Sequence, residues 1–429
     1  MSVNTAPSSR FTGVFAPLAN VDFRRLLCSN TLWWQVSMME MIVMGWLALE
    51  MTNSAWQVAL VGFFRSMPFS GLWLYLRPHH RPLWSPQDHP RLPDNFHARL
   101  RRHAALLWTN TLVYWQLCLG AVIIGSAWSL DWPARRSLLP DLVGKGNTVE
   151  AMMLESFVQN VSRMAGPFLA GVLIATAGAL GCYVVLAILS LAALLFLVGL
   201  AGQPVPRNHM PSKVSAFHLM GEGLRYVRSQ DPLLGVIVIT AILNGLVFSY
   251  TALLPVFARD ILDVGPIGLG LLGAASGVGA LLGLAMIGSL RHRISRGWIF
   301  GAGCFLQAIM IMFFAGSTLF VLSLVLLVIS GIGQACFGTM QSSIILIGAS
   351  DEMRSRAMGT LVLAIGAGPL GRLQTGLLAE AFGAPFAVGI QSALAAVLIV
   401  VVMVKLPGMR RRLEVSEAPA PVGPVRQTA

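Results

Sequence analysis

The fold is decided by VYWQLCLGAVIIGSAWSLDW (residues 113–132), followed by PARR (133–136) and then by VEAMMLESFVQNVSRMAGPFLAG (149–171). The first part carries one charge, Asp131, and has the length of about 20 apolar residues that a helix needs to cross a bilayer. The third part is again apolar, with polar residues at every fourth position. The pattern predicts two membrane helices joined by a basic turn.

The composition of the whole chain indicates a membrane protein. The 429 residues are 55% hydrophobic and 11% charged, with a mean hydropathy of +0.71, whereas soluble domains carry about 25% charged residues. The net charge of +12 comes from basic residues in short loops, which argues against a nucleic-acid partner. The sequence has no GxxxxGK(S/T) phosphate loop and no credible catalytic or metal-binding set, so we expect no enzyme, cofactor or metal site.

Apolar runs long enough to span a membrane lie at 30–51, 55–76, 111–132, 149–176, 180–200, 233–257, 266–288, 298–316, 318–347, 358–383 and 385–405. A twelfth helix is expected between residues 77 and 110, where the apolar pattern fails. With that helix counted, the basic loops all fall on one side, and the other side holds Arg259 beside Asp260 and Asp263. We therefore expect a bacterial cytoplasmic membrane protein with both termini in the cytoplasm.

The chain divides into a cytoplasmic N-terminus (1–29), a helix bundle (30–200), a central cytoplasmic loop (201–232), a second bundle (233–405) and a disordered cytoplasmic tail (406–429). The two bundles show a weak internal repeat. Arg163 precedes Gly166-Pro167 in helix 5, and Gly368-Pro369 precedes Arg372 in helix 11. Such symmetry is typical of transporters built from repeats.

Twelve expected spans, a central loop and the PARR turn after helix 4 resemble the major facilitator superfamily. The segments WPARRSLLPDLV (132–143) and RMAGPFLAG (163–171) are similar to the branch of bacterial exporters that includes the enterobactin exporter and related drug and metabolite efflux proteins. The resemblance implies an all-α membrane fold of two six-helix bundles.

One departure from this family is large. Its GxxxDRxGRR motif after helix 2 is absent, and Gly71 to His103 instead holds five prolines, six arginines and five of the chain's eight histidines. Read one nucleotide later, Arg77 to Asp88 can encode GPITDRFGRRKI, so we hypothesise that residues 77–103 are read in a shifted frame. A metal site is the weaker explanation of these histidines, because the prolines disfavour a regular scaffold and no carboxylate accompanies an i, i+4 pair.

Two groups of candidates concern substrate and protons. Glu40, near the middle of helix 1, is expected to couple protons or bind a cation, or else to make a structural hydrogen bond. Glu155, Gln159 and Arg163 share one stripe of helix 5 that is expected to line the central cavity. Arg163 could bind an anionic group or hold a carboxylate, or form a fixed packing ion pair; Arg372 is a further intramembrane cation that could snorkel or neutralise a carboxylate.

The gating and hinge candidates lie on helices 4, 5 and 11. Asp131, Arg135 and Arg136 could form gating ion pairs between the bundles, although positive-inside anchoring explains the arginines equally well. Bends are expected at two Gly-Pro sites, of which the first resembles the antiporter signature of exporters. The hinge candidates are Gly166, Pro167, Gly171, Gly368 and Pro369.

These features predict a secondary active transporter, with proton-coupled efflux of a small amphipathic siderophore, drug or metabolite by alternating access. The expected partners are the lipid bilayer, the substrate and protons, and the chain is expected to be a monomer. The alternative is a non-transporting membrane sensor or assembly protein, or an inactive transporter remnant.

Overall fold

The structure is a computed structural model that describes residues 13–76, 91–198, 216–290, 293–350 and 352–410. Every regular element in these ranges is helical. Residues 1–12 of the predicted N-terminal segment, residues 199–215 and residues 411–429 of the predicted tail lie outside the described residues. The exact limits of the two bundles therefore stay a prediction.

The first half begins with a 3-10 turn, Gly13–Ala19. Its helices are α1 (Val21–Thr52), α2 (Ala55–Leu76), α3 (Arg91–Trp108), α4 (Tyr114–Val143) and α5 (Thr148–Val198). The start of α1 precedes the predicted residue 30, because the Asn20 side chain accepts hydrogen bonds from the backbone of Asp22 and Phe23. Within α5, Gly178 has φ 69° and ψ 179°, a conformation open to glycine, and the chain reverses there into a second arm.

The second half begins after α6 (Ala216–Arg228), a short helix beside the bundle. Its helices are α7 (Asp231–Ile242), α8 (Tyr250–Val256), α9 (Gly265–Leu290), α10 (Arg296–Ala315), α11 (Phe320–Gly348), α12 (Arg354–Ile365), α13 (Gly368–Phe382) and α14 (Ala384–Lys405). π-helical turns at Leu243–Val247 and Phe257–Ile261 join α7 and α8 into one irregular span. A 3-10 turn, Pro407–Arg410, follows α14, where the sequence predicted disorder.

Eight stretches of the described chain are long and apolar enough to cross a membrane. One of them contains both arms of α5, and α2, α3 and α4 add three further bundle helices. Counted together, these elements give twelve bundle segments in the described residues, and they confirm the predicted all-α membrane fold of two six-helix bundles.

The predicted basic turn at PARR is wrong. Helix α4 continues through residues 133–136 to Val143, and the connection to α5 lies at Gly144–Asn147. Arg135 is buried inside the first half rather than exposed in a loop. Burial of this charge is possible because Asp131, one helical turn earlier, supplies the opposite charge.

The region of the missing third helix is helical from Arg91 onward, in spite of Pro93. His97 Nδ1 lies 2.8 Å from Ser190 Oγ, and the His103 ring stacks on Tyr183 of the second α5 arm, with centroids 5.6 Å apart. Helix α3 therefore lies at the depth of the membrane-spanning segments. Yet Arg101 and Arg102, between these two contacts, are exposed.

The neighbouring surface of α5 exposes apolar side chains, as a lipid-facing helix should. Val184, Ile188 and Leu195 are exposed there. Two exposed arginines at a comparable depth are out of keeping with a lipid-facing surface, because a cation in the apolar layer costs several kcal/mol, roughly +2.5 to +3.5 on insertion scales. The third-helix region thus has the position of a membrane helix without its composition.

The two halves are held together by contacts that run from one end of the bundle to its middle. The α1–α2 turn lies at one end of the bundle, which we call the turn end. The α4–α5 connection lies at the opposite end, which we call the basic end. Across the halves, α5 packs on α9 and α2 packs on α13. The named contacts between them reach from Ser54 and Glu380 at the turn end to Ser66 and Arg372 near the middle.

Candidate transport site

Glu40 lies in the middle of α1 and is fully buried. Its Oε1 accepts a hydrogen bond from Arg99 Nη2 of α3, and the two side chains form a buried ion pair. Its Oε2 accepts no hydrogen bond from the described residues. A buried carboxylate with one unused oxygen can take up a proton or accept a bond from a ligand.

Arg65 of α2 reaches towards the same region. Its Nη2 donates to the Ser37 carbonyl oxygen and to Ser37 Oγ, both at 3.1 Å. It lies within electrostatic range of Glu40 and Arg99. The helices α1, α2 and α3 thus bring one acid and two bases together, so neutralisation of Glu40 would leave two guanidinium charges without that compensation.

Arg163 of α5 is half-buried and makes no hydrogen bond or ion pair with the described residues. Tyr250 of α8, in the other half, lies within electrostatic range of it. Arg163 is also one turn before Pro167, which has no N–H to donate to the Arg163 carbonyl oxygen. The fixed packing ion pair is therefore not made in this conformation, and the role in binding an anion stays a prediction.

Arg372 of α13 is likewise half-buried, and its contacts cross the boundary between the halves. Its Nη1 donates to Ser66 Oγ of α2 at 3.2 Å. Arg65 is the charged group within electrostatic range of it. No carboxylate pairs with Arg372 among the described residues, so the sequence-based idea that it neutralises a buried acid is not met in this conformation.

The three gating candidates make their contacts inside the first half. Arg135 Nε lies 2.5 Å from Asp131 Oδ2, and its Nη1 donates to Ser29 Oγ at 3.1 Å and to Asn30 Oδ1 at 2.8 Å. Its guanidinium also lies 5.4 Å from the Trp33 ring centroid. These bonds tie α4 to α1, so a gating role between the halves stays a prediction.

Glu155 is buried, and its Oε2 lies 3.8 Å from Arg136 Nε, which links α5 to α4 near the basic end. Gln159 is half-buried one turn further along. Glu155 is thus engaged within the first half. Its predicted place in the lining of a central cavity stays a prediction.

The hinge candidates of α5 lie in tight contact with their neighbours. A Cβ on Gly166 would lie 2.5 Å from Met38 Cβ of α1, and one on Gly171 would lie 2.4 Å from the Pro266 carbonyl oxygen of α9. Pro167 packs against Gly273 of α9 and sits inside a continuous helix. Small residues therefore allow close approach of α5 to both halves.

At the corresponding site in the second half, a two-residue turn separates two helices of one span. Helix α12 ends at Ile365 and α13 begins at Gly368, with Pro369 at a first-turn position, where its missing N–H costs nothing. Both Gly368 and Pro369 are buried. The two helices are thus separate elements at this Gly-Pro pair, whereas its counterpart in α5 lies inside one helix, and the hinge role of both pairs stays a prediction.

Several residues that make contacts around the site were not predicted from the sequence. Ser66 gave no signal, because a serine in an apolar run is common, and Arg99 lies in the segment that was explained by a shifted frame. Glu380 was also missed: its Oε2 accepts from Ser54 Oγ at 3.0 Å and from the Trp56 backbone N–H at 3.2 Å. These contacts join residues far apart in the chain, and no local pattern reports them.

Comparison with known proteins agrees with this architecture. The model of the transmembrane secretion effector family matches residues 100–427, and so begins inside α3, where the unusual segment ends. The Staphyloferrin A transporter of Staphylococcus aureus (strain NCTC 8325 / PS 47) is 26% identical over 232 residues, which cover 51% of this chain and 55% of that protein. The aligned region thus spans about half the length of that curated relative.

Solved structures support the fold alone. The nucleoside transporter NupG has a TM-score of 0.67 at 14% identity, with 89% of this chain and 98% of that chain covered. A bacterial homologue of the iron transporter ferroportin, in an inward-facing state, has a TM-score of 0.66 at 18% identity, with 91% and 99% covered. The chain belongs to the transmembrane secretion effector family, is a multi-pass membrane protein and has the fold of the major-facilitator-type transporters.

Proposed function

We propose that this transporter exports a small amphipathic molecule, of the siderophore, drug or metabolite kind, in exchange for protons. The observation that carries the proposal is Glu40, a fully buried carboxylate in the middle of α1 that contacts Arg99 and leaves one oxygen unused by the described residues. The partial similarity to a siderophore transporter supports the cargo class.

The mechanism follows from the charges around this carboxylate. When Glu40 is ionised it compensates Arg99 and Arg65, which ties α1 to α2 and α3. When Glu40 takes up a proton, that compensation is lost and the two guanidinium groups repel each other. Protonation would thereby favour a different packing of the first half. Alternating access needs an element with two such packings.

The direction and placement of transport belong to the same proposal. The named contacts between the halves run from the turn end to the middle, which supports an access path at the basic end. Basic residues concentrate at that end, so the positive-inside rule places it, and both termini, in the cytoplasm of a bacterial inner membrane. These features support the proposal that the arrangement is a cytoplasm-facing state, ready to load cargo for export.

The test is proton movement in proteoliposomes that contain a pH-sensitive dye. Candidate siderophores and lipophilic drugs are supplied one at a time, and we expect at least one to drive proton flux. Glu40→Gln should abolish this flux, and Glu352→Gln, which changes an exposed acid of the second half, should leave it intact. Unchanged flux in Glu40→Gln vesicles would refute the assignment of Glu40.

One observation favours the alternative of an inactive remnant. Arg101 and Arg102 are exposed on α3 at membrane depth, where lipid should be contacted. A chain with this segment would insert or pack poorly. Absence of flux for every candidate cargo, in this chain and in a version with an apolar third helix, would favour a non-transporting protein.

A further inference from the structure

An apolar groove runs along the second half, between α9 and α10. Its volume is about 460 Å³, which is in the range of sites that hold small ligands. Helix α11 packs against both of these helices and forms the floor of the groove. The lining is apolar apart from one indole N–H and one thiol, and it includes Met286, Ile294, Trp298, Leu306, Ile332 and Cys336. The groove therefore fits an apolar occupant.

The groove opens towards lipid. Glycines let both walls approach the floor, because Cβ atoms on Gly283 of α9 and Gly303 of α10 would lie 2.7 Å and 2.3 Å from Cβ atoms of α11. Helix α10 packs on α11 and α14, which also belong to the second half. At the rim, Met286, Ile294 and Trp298 are 38%, 41% and 46% exposed. The opening thus faces away from the first half.

The groove has nearly the depth of one lipid leaflet. Arg259, just before α9, donates to the Leu49 carbonyl oxygen and to Asn53 Oδ1 beside the α1–α2 turn. Helix α9 therefore starts at the turn end, and the α9–α10 connection lies at the basic end. On α10 the lining extends from Trp298, in the first turn, to Leu306, midway along the helix. This stretch is about 12 Å long, nearly half of the ~30 Å hydrocarbon layer.

Arginines lie at the mouth of the groove at the basic end. Arg293 is exposed in the α9–α10 connection, and Arg296 is half-buried at the start of α10, about 3 Å along the helix axis from Trp298. The carbonyl oxygen of a third arginine, Arg410, accepts from Ser295 Oγ at 3.0 Å. The sequence RISRGW (293–298) contains no acidic residue. Positive charge is therefore concentrated where the apolar lining ends.

We propose that the groove binds one acyl chain of an anionic phospholipid, whose headgroup is held by Arg293 and Arg296 in the leaflet at the basic end. An uncharged apolar molecule would leave the charges unused, and an anion without a chain would leave the apolar lining uncovered, whereas an anionic lipid uses both. Trp298 lies between the two regions, where tryptophan is favoured in membrane proteins. The site belongs to the second half, so it depends neither on residues 77–103 nor on proton coupling.

Quenching of tryptophan fluorescence tests the lipid preference of the full-length protein. Phosphatidylcholine vesicles receive an equal minor fraction of either phosphatidylglycerol or phosphatidylcholine that is brominated along one acyl chain. The protein has 11 tryptophans, so the difference between the parent and Trp298→Phe isolates the signal of Trp298. We expect brominated phosphatidylglycerol to quench this signal with about fivefold or more higher apparent affinity than brominated phosphatidylcholine. Equal quenching would mean that any chain fills the groove, and it would overturn the proposal.

The second experiment removes the charges at the mouth. The double variant Arg293→Gln/Arg296→Gln should lose the preference for phosphatidylglycerol, about fivefold for each arginine. The matched control is Arg225→Gln/Arg228→Gln, which removes two exposed arginines from α6 and changes the net charge equally. The control should keep the preference. An equal loss in both double variants, or no loss in either, would refute the assignment of the headgroup site.

The third experiment fills the groove. Ala302 lines it and is exposed, so Ala302→Phe places a ring in the space for the acyl chain without displacing a buried side chain. We expect the fivefold preference for phosphatidylglycerol to disappear. Ala175→Phe adds the same ring to an exposed alanine of α5 and should behave as the parent does. A preference that survives in Ala302→Phe would refute the groove as the chain site. The comparison of two lipids on the parent protein needs no groove variant, so a misfolded mutant cannot decide the outcome.

Discussion

Arg372 Nη1 of α13 donates a hydrogen bond to Ser66 Oγ of α2 at 3.2 Å, across the boundary between the two halves. On the other side of the bundle, Pro167 of α5 packs against Gly273 of α9, again across the boundary. The α2–α13 interface and the α5–α9 interface are related to each other as expected for a repeat with an approximate two-fold axis. The predictions below probe these interfaces and the buried charges between them.

The contact between the halves at the turn end should weaken in the variant Glu380→Ala, because this carboxylate accepts hydrogen bonds from Ser54 and Trp56 of the opposite half. We expect a few-fold shift towards a state that is open at this end, in keeping with the modest energy of exposed charge contacts. Spin labels at Thr109 and Leu319, in a background without the native cysteines, report the distance between the halves. An unaltered distance distribution would contradict the role, and Glu352→Ala is the control.

The contact of α5 with α9 should not tolerate a larger residue at Gly270. A Cβ there would lie 2.7 Å from the Pro167 carbonyl oxygen, so Gly270→Leu must push the helices apart. We expect the same spin-label pair to report an opened turn end, with transport reduced. Gly288→Leu lies on the same helix with nothing within 4 Å of its Cβ, and it should behave as the parent does.

The buried pair of Glu40 and Arg99 predicts a non-additive double-mutant cycle. Arg99→Met leaves Glu40 buried without its partner, which typically costs about 3–5 kcal/mol. Adding Glu40→Gln removes the stranded charge, so the double variant should recover most of the lost melting temperature in detergent. Additive losses from the two changes would show that the two side chains do not interact.

The short turn after α14 should stabilise the basic end. Met409 is 2% exposed and fills space beside Gly235 and Gly297, where neither residue leaves room for a Cβ. Asp231 Oδ2 accepts from the Gly408 N–H at 3.3 Å. Deletion of residues 407–429 should therefore lower the melting temperature clearly, whereas deletion of 411–429 should not. Equal melting of the two truncated chains would argue against this anchor.

The reading frame of residues 77–103 has a direct test in nucleotide sequencing of the source gene across codons 65–110. We expect a frame that encodes GxxxDRxGRR after α2, because the present frame places exposed Arg101 and Arg102 at membrane depth. In that event Arg99 is absent from the natural chain, and Glu40 has another partner. Confirmation of the present frame would make the inactive remnant the better interpretation.

The sequence by itself determined the class of fold. Runs of about 20 apolar residues can satisfy their backbone hydrogen bonds in lipid as helices, and eleven such runs predicted eleven of the segments. The twelfth was expected only from the spacing between its neighbours and from the family resemblance, because its own apolar pattern fails. It also singled out the Gly-Pro pair before Arg372 as a hinge candidate, because proline has no N–H for the helical ladder, and α13 begins at this pair. These features are local, so a single chain reveals them.

The tertiary structure alone decided which charges meet. It placed PARR inside α4, paired Glu40 with Arg99, joined Arg372 to Ser66, and left Arg163 without a carboxylate among the described residues. In a medium of low dielectric constant, the partner of a charge decides whether that charge is structural or available to a ligand. Those partners come from distant parts of the chain and depend on how the helices pack, which no local pattern encodes.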